Sequence, residues 1–329
     1  MRIFLYEHIT GGGYTGESLP SSLAHEGDMM LRAIATDLTA LPGIEIITTR
    51  DPRLAPLEIN NVLEFPVLSK DHSCRIFHHC SAITEFAWPI APETEGILEK
   101  LTNGIQKSSC KLIGSLPEAV HITASKFKTT QWLTAAGLQT IPTHRYFEDL
   151  PQSVQQIVVK PDDGAGCIDT LLLSRTELEK WWQPNRSDKL ILQPYISGES
   201  KSLSLLCSEH SARVLSCNRQ RVSIRNNQFQ FLGVEVNAYP EERLQYQALA
   251  EKIKQAIPGL WGYVGVDIIE NNYGTFIVDI NPRLTTSYVG LSRALNVNIA
   301  GMILELFDPS LTPRDISLGE TILIETHDV

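Results

Sequence analysis

Phe276-Ile277-Val278-Asp279-Ile280-Asn281-Pro282-Arg283 decides how this chain is read. It is an apolar strand with a carboxylate set into its middle, and such a carboxylate is costly unless paired or bound to a cation. Asn281 follows at the strand period of two and shares a face with Asp279, and Arg283 comes two residues later. Upstream, Tyr263-Val264-Gly265-Val266-Asp267-Ile268-Ile269 repeats the pattern, and Asn271-Asn272-Tyr273-Gly274 supplies a turn between the two strands. The hairpin brings both carboxylates together. With the amide oxygen of Asn281 they make a hard oxygen set suited to Mg²⁺ bridging phosphates, with Mn²⁺ as the alternative ion. Arg283 adds a fork for a phosphate or a developing oxyanion. The competing reading is a pair of buried aspartates satisfied by arginine or backbone donors.

Further upstream, Val158-Val159-Lys160-Pro161-Asp162-Asp163-Gly164-Ala165-Gly166 ends an apolar strand on a lysine and runs into a glycine turn. That places an ammonium beside backbone N–H groups able to face anionic oxygens. A plain surface strand end is the alternative. Residues 11–16, Gly11-Gly12-Gly13-Tyr14-Thr15-Gly16, fit a dinucleotide fingerprint, but no helix starts on them and no acidic residue follows at the required distance. We read them as a flexible loop over a substrate. The phosphate loop G-x-x-x-x-G-K-[ST] is absent from the sequence.

The rest of the chain is ordinary globular material. At about 150 residues per domain, 329 residues give two to three compact units. Hydrophobic residues are 43% and charged residues 20%, which excludes disorder and coiled coil. Lys and Arg number 28 against 38 Asp and Glu, a net −10 that argues against nucleic acid or an anionic membrane as partner. Six cysteines form no C-x-x-C pair and read as thiols of a reducing cytoplasm. Glu7 cuts the first apolar run short, so no signal peptide or membrane span is expected. Strand and helix alternate through residues 1–115, predicting a parallel α/β unit with strands near 3–6, 44–48, 62–68, 75–79 and 111–113. His78 and His79 then fall on opposite faces of a strand, which disfavours a joint metal site. Residues 143–147, 156–160, 171–173 and 189–195 read as strands, the period-2 stretches 214–218 and 229–236 within 201–237 suggest a mostly antiparallel sheet, and 125–136 and 241–257 read as helices.

The order of these features resembles the ATP-grasp superfamily. Lys126 opens a helix, Lys160 precedes the glycine loop, and Gln193-Pro194-Tyr195-Ile196-Ser197-Gly198-Glu199 follows a strand; the two aspartate strands come last. The resemblance implies an α/β and α+β chain in three parts. These are a pre-ATP-grasp α/β domain at 1–116, a small lid lobe at 117–200 and a larger antiparallel lobe carrying the metal site at 201–329. It implies ATP as co-substrate, with Lys126, Lys160, Gly164 and Gly166 at the phosphates. Gln193, Tyr195 and Ile196 would form the adenine hinge, Glu199 would meet the ribose, and Asp267, Asp279 and Asn281 would bind the metal. Many such ligases carry an arginine where Gly265 stands, and glutamate where Asp279 stands. Arg283, helped by Arg219 or Arg221, is therefore expected to supply the missing positive charge.

Within the superfamily, Tyr6-Glu7-His8-Ile9-Thr10-Gly11-Gly12-Gly13, the lysine loop, and the run from Asp279 through Arg283-Leu284-Thr285-Thr286-Ser287-Tyr288 are most similar to the tyramine–glutamate ligase group of methanofuran-type cofactor synthesis. That likeness implies a carboxylate–amine ligase acting through an acyl phosphate, with a glutamate-like acid and a tyramine- or tyrosine-like amine as partners. Thr285, Thr286, Ser287 and Tyr288 would line the acceptor pocket, or serve as an N-cap cluster for the next helix. A different acid–amine pair, a carboxylase and a non-catalytic ATP-binding protein are the rival functions. The superfamily often dimerises, and a homodimer is the expected assembly.

Overall fold

The computed structural model describes residues 1–164, 166–182, 188–308, 310 and 314–326. Ala165 of the lysine loop and the last three residues of the expected third unit lie outside the described residues. The chain begins β1 (Arg2–Glu7), α1 (Ser21–Thr39), β2 (Glu45–Arg50), β3 (Val62–Pro66), α2 (Lys70–Ala82), β4 (Phe86–Ile90), α3 (Ile97–Gln106) and β5 (Lys111–Leu112). These strands form one parallel sheet in the order β3-β2-β1-β4-β5. β1 is central and nearly all buried, as a strand covered on both faces must be.

The strand expected at 75–79 lies inside α2. Ser69 accepts a hydrogen bond from the His72 N–H as the helix N-cap, and Ile76, Phe77 and Cys80 fall at helical spacing toward the core around Phe4 and Tyr6. His78 and His79 are therefore helical neighbours. The strand that sequence reading missed is β4. Pro89 argues against a central strand, but β5 pairs only with Phe86 and Ala87, so Pro89 lies beyond that ladder.

The chain continues through α4 (Pro117–Thr123), α5 (Lys126–Ala135), β6 (Gln156–Pro161), β7 (Leu171–Ser174), α6 (Arg175–Trp181), β8 (Leu190–Pro194), β9 (Glu199–Cys207), β10 (Ala212–Arg225) and β11 (Gln228–Val236). It ends with α7 (Gln247–Ala256), β12 (Gly262–Asn271), β13 (Gly274–Asn281), α8 (Tyr288–Leu295), α9 (Ile299–Glu305) and β14 (Ile322–Glu325). The second sheet runs β13-β12-β9-β10-β11-β7-β6-β8 with β14 against β11, and its pairings are antiparallel. Residues 143–147 contribute only an isolated bridge, His144 to Leu192, because a 3-10 turn begins at Phe147. The helix expected over 241–257 is a 3-10 turn, Pro240–Tyr246, followed by α7.

Burial explains how the parts hold together. Leu31, Ile34 and Leu38 of α1 share one apolar core with Leu291 of α8 and Ile303 of α9, so the first sheet is tied to the second. A separate small core of Ile157, Val159, Leu173, Leu178 and Leu192 holds β6, β7, α6 and β8 together. Among the described residues no helix is long and apolar enough to cross a membrane.

Candidate functional site

A cavity of about 1450 Å³ opens between the parallel sheet, the β6–β8 lobe and the β12–β13 hairpin. Ligand pockets typically measure ~300–1,000 Å³, so this one has room for a nucleotide and more besides.

The hairpin sets two acids face to face. β12 and β13 pair Asp267 directly with Asp279, next to a register shift after Asp267. Burial, with the like charge of Asp279 next, pushes the Asp267 carboxyl up to about 6. Asp267 accepts hydrogen bonds from Gln220 Nε2 at 2.8 Å and Asn281 Nδ2 at 3.2 Å. Such a crowded pair of carboxylates calls for a cation, and the adjacent Asn281 amide completes an oxygen-rich donor set that fits Mg²⁺ or Mn²⁺.

Two lysines stand by the acids in different states. Lys126, at the start of α5, reaches Asp279 Oδ2 at 2.8 Å and the Gly164 carbonyl at 2.6 Å. Burial alone would lower its pKa, but Asp279 outweighs this and raises it. Lys160 ends β6 and is only 8% exposed, yet its ammonium meets no hydrogen-bond acceptor among the described residues. Burial, and after it the charge of Lys126, pull its pKa down to about 8. A buried cation without a partner is expensive, and the cavity wall is where an anionic ligand would satisfy it.

Asp162, two residues after Lys160, fastens this arrangement. Its carboxylate accepts from Ser125 Oγ at 2.7 Å, the Phe127 N–H at 2.8 Å and Arg145 Nη2 at 2.8 Å. The lysine loop is thereby locked to the start of α5. Its next residue reaches across the cleft, where Asp163 accepts from the Glu95 N–H at 2.9 Å and from Thr94 Oγ1 at 3.0 Å.

Most of the residues singled out from sequence meet in this cavity. Lys126, Lys160, Gly164, Gly166, Gln193, Tyr195, Ile196, Asp267, Asp279, Asn281 and Arg283 all line it, as do Thr285, Thr286 and Ser287. Tyr288 does not; it is buried in the first core and donates to Asp37 at 2.7 Å. Ser287, at the head of α8, makes no side-chain cap bond.

Three expectations need correction. Arg219 and Arg221 do not line the cavity, because strand alternation sends Gln220 and Val222 inward and both arginines outward. Arg219 binds Tyr239 at 2.7 Å and Glu235 at 3.0 Å, and Arg221 binds Glu325 at 3.0 Å. Glu199 follows the same rule on β9: Ser200 and Ser202 face the cavity, while Glu199 joins Tyr239, Arg219 and Lys201 on the outer face. Of residues 11–16, expected as a flexible loop, Gly11, Gly12 and Gly13 are packed in a short helical turn that spans Ile9–Gly13, while Gly16 is exposed. A Cβ on Gly11 would lie 2.7 Å from Thr49 Oγ1, and Gly12, at φ +95°, is pressed against Val67; Gly13 and Tyr14 face the cavity.

Arg283 is where it was expected, but it is not free. Its guanidinium grips Glu93 with two bonds of 2.9 Å, both side chains being about nine-tenths buried. The pair ties the end of β13 to the first unit. Gly265 is closed to any larger residue, since a Cβ there would come 2.6 Å from Thr285 Cγ2.

Sequence reading missed Gln220, Glu93, the anchoring contacts of Asp162 and the wall supplied by β1 and α1. On that wall Glu7 is buried and accepts from the Ile9 N–H at 3.1 Å, the Thr10 N–H at 2.6 Å and Thr10 Oγ1 at 2.7 Å; burial raises its pKa. His8 beside it is pulled down to about 4 by burial, so its ring is neutral.

Known proteins share these features. Residues 123–287 match the ATP-grasp domain model, and residues 44–120 match the pre ATP-grasp 3 domain. A tyramine–L-glutamate ligase of Methanocaldococcus jannaschii is 32% identical over 67% of this chain, and the match spans 62% of that protein. A tyramine–L-glutamate ligase of Methanocaldococcus fervens is 27% identical over 88% of this chain and 89% of its own. A crystal structure from Archaeoglobus fulgidus, described as of the ATP-grasp superfamily, superposes over 99% of both chains with a TM-score of 0.71 at 23% identity. With its two sheets, its lysine loop and its paired aspartates, this chain belongs to the ATP-grasp family.

Proposed function

We propose that this chain is an ATP-dependent carboxylate–amine ligase that joins a glutamate-like acid to a tyramine-like amine through an acyl phosphate, in the manner of methanofuran-type cofactor synthesis. The observation that carries the reading is Lys160, a buried lysine whose ammonium meets no hydrogen-bond acceptor among the described residues, in the wall of the same cavity as the crowded Asp267–Asp279 pair. ATP phosphates would satisfy that cation, and phosphoryl transfer asks chiefly for positioning and charge neutralisation. When bound at Asp267, Asp279 and Asn281, Mg²⁺ or Mn²⁺ would neutralise phosphate charge. Lys160 would hold a phosphate oxygen. Lys126, now shared between Asp279 and Gly164, links the acid pair to the loop that covers the nucleotide. Gln193, Tyr195 and Ile196 would form the adenine side. Arg283, fixed by Glu93, would sit as a preoriented positive charge beside the reacting carboxylate.

The lysine loop meets the first unit through Asp163 and Thr94, which would exclude water from an acyl phosphate. All six cysteines are free thiols, which suits a reducing cytoplasm. The two relatives named as tyramine–L-glutamate ligases support the substrate pair. The test is ADP release over a panel of acids and amines in the presence of Mg²⁺. Release that depends on both glutamate and an amine supports the ligase; tight ATP binding without amine-dependent release overturns it in favour of a non-catalytic nucleotide-binding protein.

A further inference from the structure

The cavity is larger than a nucleotide needs, and it continues past the acid pair to the inner face of α1. Leu23, Glu26, Gly27 and Met30 line it, at positions i, i+3, i+4 and i+7 of that helix. This spacing makes one stripe, the face a surface helix normally buries in its core. Here the stripe has apolar side chains at its ends, a carboxylate in its middle and a bare backbone beside the carboxylate. Gly27 has no room for more, because a Cβ would stand 2.6 Å from Glu7 Oε2.

Glu26 is tied to the reaction centre. Its Oε2 accepts from Thr286 Oγ1 at 3.0 Å, and Thr286 lies in the short connection between α8 and β13, the strand that carries Asp279 and Asn281. Its charge also acts on Arg283 and on Cys167 of the lysine loop, so it stands where both parts of the site meet. Nearby, the rings of His8 and Tyr14 meet edge-on with centroids 6.2 Å apart and face the same cavity. Lys70, at the cavity's edge, forms an exposed ion pair with Glu17 at 3.2 Å.

We infer that Glu26 is the residue that receives the ammonium of the arylalkyl amine acceptor; the inference rests on the ligase reading above. A cationic head fits the Glu26 carboxylate, and an aromatic body fits between Leu23, Met30 and the Tyr14 ring. A carboxylate on the same carbon would stand beside the Glu26 carboxylate, so an α-amino acid is disfavoured where its decarboxylated amine is drawn in. The acid donor belongs on the other side, beside Lys126, Lys160 and Arg283. Glu26 is a specificity residue: it holds the ammonium, which gives up a proton to a carboxylate or to water before its nitrogen attacks the acyl carbon and phosphate leaves.

The test uses the full-length protein with ATP, Mg²⁺ and glutamate. Glu26→Gln should raise KM for tyramine by roughly 10- to 100-fold, the loss expected for one charge-assisted bond, with KM for ATP within about twofold. Glu26→Asp should recover part of it. Independently of any variant, the wild type should favour tyramine over tyrosine by about 100-fold or more in kcat/KM. An unchanged tyramine KM in Glu26→Gln, or equal use of tyrosine by the wild type, overturns the proposal. Hydroxylamine in place of the amine separates the two claims. Wild-type hydroxamate formation from glutamate and ATP supports the ligase whatever happens at Glu26, and its absence overturns the ligase reading itself.

Discussion

Replacing Lys160 by methionine should make the ligand-free protein more stable while removing its grip on ATP. Methionine keeps the bulk of the side chain and deletes a cation that burial disfavours. An ordinary lysine titrates near 10.5 and this one at about 8; at about 1.4 kcal/mol per pH unit the burial of its charge costs about 3 kcal/mol at neutral pH. The sign follows from proton counts. Between about pH 8 and 10.5 the unfolded chain holds a proton on this lysine that the folded chain has released. Wild-type stability therefore gains a contribution that grows across that window and is missing below it. Lys160→Met should be more stable by up to about 3 kcal/mol at pH 7, and the advantage should fade toward pH 10.5. Urea unfolding at pH 7 and pH 10, without nucleotide or divalent ion, measures this directly. Isothermal titration with ATP should show a Kd weakened at least 10-fold in the variant. For the wild type, ATP affinity should fall about tenfold per pH unit above 8, because only the protonated lysine pairs with phosphate; the variant should be flat. A variant that is destabilised at pH 7, or that binds ATP as the wild type does, refutes the reasoning.

Asp279→Asn should lower the turnover of the folded protein by about 100-fold or more, since it removes one of the paired carboxylates, and should lose stability because Lys126 loses its ion-pair partner; steady-state ADP release below the unfolding transition checks this, and near-normal turnover counts against the metal assignment. Chelation of divalent ions should abolish ADP release, with Mg²⁺ or Mn²⁺ restoring it and Ca²⁺ failing, as coupled-enzyme assays will show. Glu93→Gln leaves the Arg283 guanidinium buried beside a neutral amide and should cost about 3–5 kcal/mol in denaturant unfolding, whereas replacing Glu93 and Arg283 together by apolar residues should cost much less. Gly27→Ala drives a methyl against the Glu7 carboxylate and should destabilise by about 1–3 kcal/mol; a variant as stable as the wild type would show that α1 can shift away.

The sequence made some of this site legible because its chemistry is local. Asp267 and Asp279 stand out within apolar strands, the turn between them fixes the hairpin, and register then pairs them without any long-range information. The lysine loop announces itself in the same way. What stayed hidden depends on contacts far apart in the chain. Arg283 meets Glu93 across 190 positions, and Glu26 meets Thr286 across 260, so no spacing rule reaches them. Other errors were of parity. On β10 the eye goes to the charges of Arg219 and Arg221, but the pleat turns Gln220 inward, and Gln220 is the side chain that touches Asp267. On β9 the same alternation takes Glu199 out and brings Ser200 and Ser202 in. In the first unit, residues 75–79 read as a strand but lie inside α2, and residues 86–90, which form β4, carry no strand assignment from the sequence. In each case tertiary packing overrode a local preference.

The route through an acyl phosphate is the centre of the account, and oxygen transfer tests it most directly. Glutamate labelled with ¹⁸O in its carboxylates is turned over with ATP, Mg²⁺ and tyramine, and the released phosphate is weighed by mass spectrometry. The account predicts one ¹⁸O in each inorganic phosphate, with ADP formed in step with the amide. Label in AMP, or phosphate without label, would contradict it.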